Sequence, residues 1–141
     1  LSRQNLPILG KISAEKVARG GYTLLECENA ELVLLASGSE VALALESAKS
    51  LQEQGIRAKV VSVPCYDLLA KQDRSYWDLL FPAGAKRLAI EAARGLEWYK
   101  FADEVIGMES FGASAKGEEL FSHFGFSVEN VIAKAKALLG R

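Results

Sequence analysis

The stretch ELVLLASGSEVALALESAKSLQEQGIRAKVVSV, residues 31–63, decides the fold of this 141-residue chain. It begins with an apolar run, Glu31 to Ala36, that predicts a buried strand, and it ends with a second such run from Ala58 to Val63. Between the runs, apolar residues recur at helical spacing from Val41 to Leu51, and Gly55 follows where a helix would end. A strand, a helix and a strand in this order predict a right-handed crossover between parallel strands.

Further strands and helices extend this unit in both directions. Upstream, a helical turn from Ala14 to Arg19 stops at Gly20-Gly21, and Tyr22 to Cys27 predicts a first strand. Because only Glu28-Asn29-Ala30 separates that strand from the next, we expect the two to form an antiparallel hairpin. Downstream, the predicted elements are short helices at Tyr66–Ala70 and Ser75–Leu80 (Ser75 and Asp78 at capping spacing), strands at Arg87–Ala92 and Glu104–Met108, and a final helix that Ser127 caps and Gly140 ends.

The order of elements predicts one three-layer α/β/α domain over residues 1–141, with a mixed, mostly parallel five-stranded sheet whose first strand is antiparallel.

Half of the residues are hydrophobic and a quarter are charged, with a formal net charge of −1, as in ordinary globular domains. Without a basic excess we expect no nucleic-acid partner. The apolar runs are far shorter than the roughly 20 residues that span a bilayer, so we expect no membrane partner. Cys27 and Cys65 lie far apart in the sequence, and we expect buried free thiols, which fits a cytoplasmic protein.

The loop Ser37-Gly38-Ser39-Glu40 follows a strand and opens a helix, so its backbone amides are one candidate for holding an anion. The spacing of Ser37 and Glu40 also matches a capping box, and we favour this second interpretation. The loop has neither the three glycines of a dinucleotide motif nor the Gly-Lys-Ser/Thr of a P-loop. A glutamate beside the helix start would also repel a phosphate.

Glu91 ends an apolar strand at the edge where open α/β sheets bind ligands. It either lines a crevice with Ser37 and Ser39 or is a hydrogen-bonded structural acid that holds the loop at Gly95, and we favour the structural role. The nearby aromatic residues Trp98, Tyr99 and Phe101 are expected to pack in a core or a subunit interface.

Neither a metal site nor a catalytic triad is expected. The chain has one histidine, His123, and its two cysteines lack ligand spacing. No Gly-x-Ser-x-Gly elbow is present to support a nucleophilic serine.

The first seven residues, Leu1-Ser2-Arg3-Gln4-Asn5-Leu6-Pro7, closely resemble the stretch that leads into the C-terminal domain of transketolase. The resemblance continues along the whole chain, through residues 36–41 (ASGSEV), 60–64 (VVSVP), 87–92 (RLAIEA), 106–112 (IGMESFG) and 124–131 (FGFSVENV). Several of these motifs are shared with related thiamine-diphosphate enzymes, and it is the opening stretch that points to transketolase.

The resemblance implies that Arg3 binds the phosphate of a sugar-phosphate substrate. It also implies that thiamine diphosphate and a divalent metal, Mg or Ca, bind to two preceding domains, with residues 1–20 leading in from them. The whole enzyme would be a homodimer that transfers a two-carbon ketol unit from a ketose phosphate to an aldose phosphate. This chain would carry no catalytic, cofactor-binding or metal-binding residue of its own and would be inactive alone. The alternative is an independent small-ligand-binding or regulatory α/β module that uses the strand-end crevice near Ser37 to Glu40, which includes Ser39, and Glu91.

Overall fold

A computed structural model describes residues 12–92, 95–108 and 125–141 of the chain. Within these residues the strands are β1 (Tyr22–Leu25), β2 (Leu32–Ala36), β3 (Ala58–Ser62), β4 (Lys86–Glu91) and β5 (Glu104–Gly107). The helices are α1 (Ala14–Ala18), α2 (Glu40–Glu53), α3 (Tyr66–Ala70), α4 (Arg74–Leu80) and α5 (Val128–Leu138), and a 3₁₀ helix spans Gly95–Lys100.

The five strands form one mixed sheet in the order β1-β3-β2-β4-β5. The pairs β2–β3, β2–β4 and β4–β5 are parallel, and β1 runs antiparallel to β3. The crossover from β2 through α2 to β3 joins neighbouring parallel strands, as residues 31–63 predict. The predicted fold class, with its antiparallel first strand, is confirmed.

The predicted hairpin between β1 and β2 is wrong, because β3 lies between these two strands. Both strands are shorter than predicted, so six residues, 26–31, connect them rather than three. Strands two positions apart in a sheet are only about 10 Å from each other, which six residues of about 3.3 Å each span easily. Because β1 pairs with β3 rather than with β2, β3 has a hydrogen-bonded neighbour on both sides. On the β1 side, Tyr22 lies opposite Ser62.

Side chains of alternate strand residues enter two separate cores on opposite faces of the sheet. In β2, Leu32 and Leu34 face α2 and α5, whereas Val33 and Leu35 face α3, α4 and the 3₁₀ helix, and all four are fully buried. This explains why the strand reads as a continuous apolar run. Full burial of each such side chain contributes about 1.5–3 kcal/mol to the free energy of unfolding.

The structure shows which residues cap the N-termini of α5 and α4, for which the sequence predicts Ser127 and Ser75. Ser127 caps α5 as predicted, accepting a hydrogen bond from the Asn130 backbone N–H at 3.2 Å, and Gly140 follows with a φ of 74°. In contrast, α4 begins one residue earlier than predicted, and its cap is Asp73 rather than Ser75. The Asp73 carboxylate accepts from the Tyr76 backbone N–H at 2.9 Å.

Gly20 ends α1 and lies against α3. It has a φ of +84°, and a Cβ at this position would be 2.3 Å from the backbone nitrogen of Leu69 and 2.5 Å from the carbonyl oxygen of Cys65. Only glycine fits both the left-handed conformation and this close approach of two backbones. Cys65 and Cys27 are free thiols, as predicted, although both are half-buried rather than fully buried.

Candidate functional site at the carboxyl edge of the sheet

The parallel pairing of β2 with β4 brings together two residues that the sequence separates by 54 positions. Ala36 is opposite Ile90 in the register, so Ser37 and Glu91 follow side by side at the carboxyl edge of the sheet. The Ser37 hydroxyl donates a hydrogen bond to Glu91 Oε2 at 2.9 Å. Two of the candidate residues from the sequence are therefore in direct contact.

Glu91 Oε2 accepts two further hydrogen bonds from other elements of the same edge. Tyr66 Oη, at the start of α3, donates at 2.9 Å, and Trp98 Nε1, in the 3₁₀ helix, donates at 3.1 Å. The two rings meet edge to face with their centroids 5.0 Å apart, and Trp98 is fully buried. Through Trp98, Glu91 holds the segment that begins at Gly95, which is the structural role that we favoured for it.

Glu40, the first residue of α2, is a second carboxyl group at this edge and is only 3% exposed. Its pKa is raised above the usual range, first by burial and also by the negative charge of Glu91, while the hydrogen bond from Ser39 opposes the shift. The Ser39 hydroxyl donates to Glu40 Oε1 at 2.5 Å. Burial and the hydrogen bond to Glu91 also raise the pKa of Tyr66 to about 12, so Tyr66 stays protonated and donates at neutral pH.

The predicted capping box at the start of α2 is not formed. Ser39 is the N-cap residue but makes no side-chain cap bond, and the Ser37 hydroxyl points to Glu91 instead. A backbone hydrogen bond from the Glu40 N–H to the Ser37 carbonyl oxygen, at 3.2 Å, lies at this helix start. The carboxyl groups of Glu40 and Glu91 beside this turn disfavour an anion here.

The sequence places Glu40 at the predicted crevice, but it does not connect Tyr66 and Trp98 with this cluster. From the sequence, Tyr66 is predicted only to start a helix and Trp98 only to pack in a core or an interface. The signal that was available is position: Tyr66 closely follows β3 and Glu40 closely follows β2. Since parallel neighbours end at one edge, the strand order β3-β2-β4 is what brings these residues together.

A second polar feature lies on the face of the sheet that α3 and α4 cover. Lys59, the second residue of β3, is buried, and its ammonium group is 3.0 Å from Glu26 Oε1. It also donates to the carbonyl oxygen of Leu79, at the end of α4, at 2.9 Å. A buried lysine needs such partners, because an unpaired ammonium is costly to remove from water. These contacts tie α4 to the edge of the sheet.

The remaining site expectations concern metals, membranes and Arg3. No group of three or more His, Cys, Asp or Glu side chains that could hold a metal ion occurs in residues 12–92, 95–108 and 125–141. None of the helices described there has the length and apolar character needed to cross a bilayer. Arg3 and His123 lie outside the described residues, so the phosphate-binding role of Arg3 stays a prediction.

Comparison with known proteins identifies the family of this fold. The matching family is described as the transketolase-like TK C-terminal domain, and its model covers residues 20–127. Transketolase 1 of Vibrio cholerae serotype O1 is 47% identical over 146 residues, which cover 98% of this chain and 22% of the relative. Transketolase from Leishmania mexicana superposes with a TM-score of 0.93 at 37% identity, covering 99% of this chain and 21% of that chain. Transketolase of Pichia stipitis in complex with sedoheptulose-7-phosphate superposes with a TM-score of 0.92 at 39% identity, covering 98% and 20%.

The structure thus defines an α/β domain with a polar cluster at the carboxyl edge of a mixed sheet. Within that class, the chain belongs to the transketolase-like C-terminal domain family. It spans about a fifth of the length of the transketolases that it matches.

Proposed function

We propose that this chain acts as the C-terminal domain of a transketolase, an enzyme that transfers a two-carbon ketol unit from a ketose phosphate to an aldose phosphate. The observation that carries the proposal is the match of 98% of the chain to one continuous part of transketolases, at 47% identity to the Vibrio cholerae enzyme. In this proposal, residues 1–141 are one domain and residues 1–20 lead into it from the preceding domain.

The chemistry would be divided between this domain and the rest of the enzyme. Thiamine diphosphate, with Mg or Ca, supplies the means to break and form the carbon–carbon bond, and in our proposal it binds outside residues 1–141. This chain contributes the substrate phosphate contact of Arg3 and structural support to a cytoplasmic homodimer. The Pichia stipitis complex with sedoheptulose-7-phosphate supports sugar phosphates as the substrate class.

Arg3 is suited to the phosphate contact because a guanidinium donates paired, charge-assisted hydrogen bonds to phosphate oxygens. The contact lies at the end of the substrate away from the reacting carbons. We therefore expect it to determine affinity for phosphorylated substrates rather than the rate of bond cleavage.

The cluster at the carboxyl edge supports a structural role more than the alternative of a regulatory module. All three donors to Glu91 Oε2 come from the chain itself, namely Ser37, Tyr66 and Trp98. A crevice built to take a ligand would leave such groups available. In our proposal the cluster keeps α3 and the 3₁₀ helix in place on the sheet.

The experiment that tests the proposal replaces the matching segment of Vibrio cholerae transketolase 1 with this chain. We expect the chimera to catalyse ketol transfer between sugar phosphates, whereas the same enzyme with the segment deleted should be inactive. The isolated chain should show neither activity nor saturable binding of thiamine diphosphate with magnesium in calorimetric titration. An inactive but folded chimera, or specific binding by the isolated chain, would overturn the proposal.

Arg3→Ala in the active chimera tests the phosphate contact. Charge-assisted hydrogen bonds contribute roughly 1.5–3 kcal/mol each, so kcat/KM for a sugar phosphate should fall about ten- to a hundred-fold, mostly through KM. Arg3→Lys should recover only part of the loss, because an ammonium lacks the planar fork. The control is the unphosphorylated analogue of the same sugar. If both substrates lose the same factor, Arg3 does not contact phosphate.

A further inference from the structure

Arg87, the second residue of β4, carries a charge that has no counter-ion in the described part of the chain. Its guanidinium makes no ion pair within residues 12–92, 95–108 and 125–141. The carboxylate of Asp103 accepts a hydrogen bond from the backbone N–H of Arg87, at 2.8 Å, and not from the guanidinium. The positive charge of Arg87 can therefore be paired by an anion from outside the chain.

The guanidinium of Arg87 is nevertheless held in a defined position. Nη1 donates to the carbonyl oxygen of Phe101 at 3.3 Å, and Cζ lies 5.0 Å from the centre of the Phe81 ring. Nε is shielded from solvent and, among the described residues, has no acceptor. An arginine side chain has five N–H donors, so most of them are unused by the chain itself. Because unpaired donors and charges are costly to shield from water, a bound anion would stabilise this arrangement.

Arg87 lines a pocket of about 470 Å³ between α4 and the start of β4, called here the α4–β4 pocket. This volume is within the range of small-molecule sites, about 300–1,000 Å³. Besides two alanines, the residues that line the pocket are Gln72, Arg74, Trp77, Asp78, Phe81 and Arg87. The pocket therefore combines charged groups with aromatic ring surface.

The charges that line the pocket favour an anion with a single negative charge. Arg74 and Asp78 neutralise each other, with Nε 2.8 Å from Oδ1, whereas Arg87 is unpaired in the described residues. A carboxylate carries one charge, and its two coplanar oxygens match the fork of a guanidinium. A phosphate monoester carries about −1.5 to −2 charges, so its additional charge would be repelled by Asp78.

We propose that the α4–β4 pocket binds a small monocarboxylate, whose carboxylate group accepts hydrogen bonds from the Nη groups of Arg87 and whose apolar body contacts Trp77. Arg87 is near the beginning of β4, whereas Glu91 is at its end, so this site is separate from the cluster at the carboxyl edge of the sheet. All the groups invoked belong to the chain itself. Binding should therefore occur in the free chain and does not depend on ketol-transfer activity.

The test is a titration of the free chain with 3-phenylpropionate, followed by NMR of side-chain N–H groups. The Arg87 Nε–H and Trp77 Nε1–H resonances should shift saturably, with a Kd of about 1 mM or below, because two charge-assisted hydrogen bonds form. The Nε1–H of Trp98, which donates to Glu91 outside the pocket, should shift little. 3-Phenylpropionamide has the same shape without the charge and should not bind measurably. Inorganic phosphate should bind more weakly than the carboxylate.

Three substitutions assign the binding to the pocket. Arg87→Lys keeps the charge but loses the planar fork, so the Kd for 3-phenylpropionate should rise about ten- to a hundred-fold. The matched control is Arg57→Lys, at an arginine that pairs with Glu31 away from the pocket, and it should leave the Kd unchanged. Asp78→Asn, at an exposed position, removes the repulsion of a second charge and should lower the Kd for inorganic phosphate about fivefold.

Several outcomes would overturn the inference. They are the absence of a saturable shift at Arg87 and Trp77, equal binding of the amide, and an equal change of Kd in Arg87→Lys and Arg57→Lys. Tighter binding of phosphate than of the carboxylate would overturn it as well, since the pocket would then take a different anion. If Arg87→Lys does not fold, the exposed Asp78→Asn variant decides, and an unchanged Kd for phosphate would count against the pocket.

Discussion

The layer formed by α2 and α5 and the layer formed by α1, α3, α4 and the 3₁₀ helix cover the same sheet, but they are held in different ways. α2 and α5 are the longest helices described, and they pack on the sheet through aliphatic side chains such as Leu51 and Val131. The opposite layer consists of short helices that also pack through buried apolar side chains, such as Leu69 and Leu80. In addition, it has specific polar contacts, those of Glu91 with Trp98 and of Lys59 with Leu79. The comparison teaches that both layers pack on apolar cores, whereas only the layer of short helices adds hydrogen bonds from buried side chains and, among the described residues, leaves large apolar side chains exposed.

The largest expected effect is a difference between two leucine-to-alanine substitutions. Leu51, in α2, is fully buried, so Leu51→Ala should lower the free energy of unfolding by about 2–5 kcal/mol. Leu79, in α4, is 63% exposed, so Leu79→Ala should change it by less than about 0.5 kcal/mol in the free chain. Urea denaturation of both variants measures this. Similar losses in the two would show that Leu79 is not exposed in the free chain.

The close contact of α1 with α3 can be isolated by comparing two glycines. Gly20 and Gly55 both have positive φ, 84° and 81°, but a Cβ at Gly55 meets nothing within 4 Å. Gly55→Ala should therefore cost only the left-handed conformation, about 1–2 kcal/mol. Gly20→Ala should cost about 1–3 kcal/mol more, because the methyl group collides with the backbone of α3. Equal unfolding free energies for the two variants would show that α1 does not rest on α3.

Removal of the Glu91 acceptor should loosen the polar layer. In Glu91→Ala the donors of Ser37, Tyr66 and Trp98 lose their shared partner, which should lower the free energy of unfolding by about 1–2 kcal/mol more than in Glu91→Gln, where a side-chain oxygen remains. Trp98 fluorescence should shift to longer wavelength in the alanine variant as the 3₁₀ helix detaches. An unshifted spectrum with wild-type stability would show that the cluster does not hold this segment.

The smallest expected effect is a pH dependence that comes from Glu40. Burial, followed by the charge of Glu91, raises the pKa of Glu40 in the folded chain above its usual value of 4.5. The folded state therefore binds this proton more tightly than the unfolded state. The associated stability is fully present below pH 4.5 and is lost as the pH rises through the folded pKa.

Glu40→Gln removes this titration, so the stability of the variant relative to wild type should increase from pH 4 to pH 8. The measurement is urea denaturation of both proteins across that range. Glu53→Gln, the same substitution at an exposed position at the other end of α2, is the matched control. A relative stability of Glu40→Gln that falls with rising pH would contradict the assigned direction of the pKa shift.

The local features of the fold could be read from the sequence with good accuracy. The apolar run of β2, the helix that follows it and the Ser127 cap of α5 depend on residues within a few positions of each other, and all three are present. The partner of β1 could not be read in this way. Whether β1 pairs with β2 or β3 depends on which arrangement buries more of the sheet, and a short connection permits both.

The candidate site shows the same limit at the level of single side chains. Ser37 has the sequence context of a helix cap, but the strand register brings Glu91 close to it. The Ser37 hydroxyl donates to the Glu91 carboxylate at 2.9 Å, and a hydrogen bond to a charged acceptor is stronger than one between neutral groups. Glu91 itself was expected to be a structural acid, and its contact with Trp98 agrees with that expectation. Arg3 lies outside the described residues, and its role depends on the family resemblance and on the kinetic test.

The sequence by itself determined the class of the domain, the order of its strands and helices along the chain, and its membership of the transketolase-like family, because periodicity, caps and motifs are written in neighbouring residues. Only the tertiary structure decided that β3 lies between β1 and β2 and that Glu91 joins Ser37, Tyr66 and Trp98. It also decided that, among the described residues, large apolar side chains are exposed on one layer alone. These features depend on contacts between residues far apart in the chain. Such contacts are selected by the packing free energy of the whole sheet, which no short stretch of sequence contains.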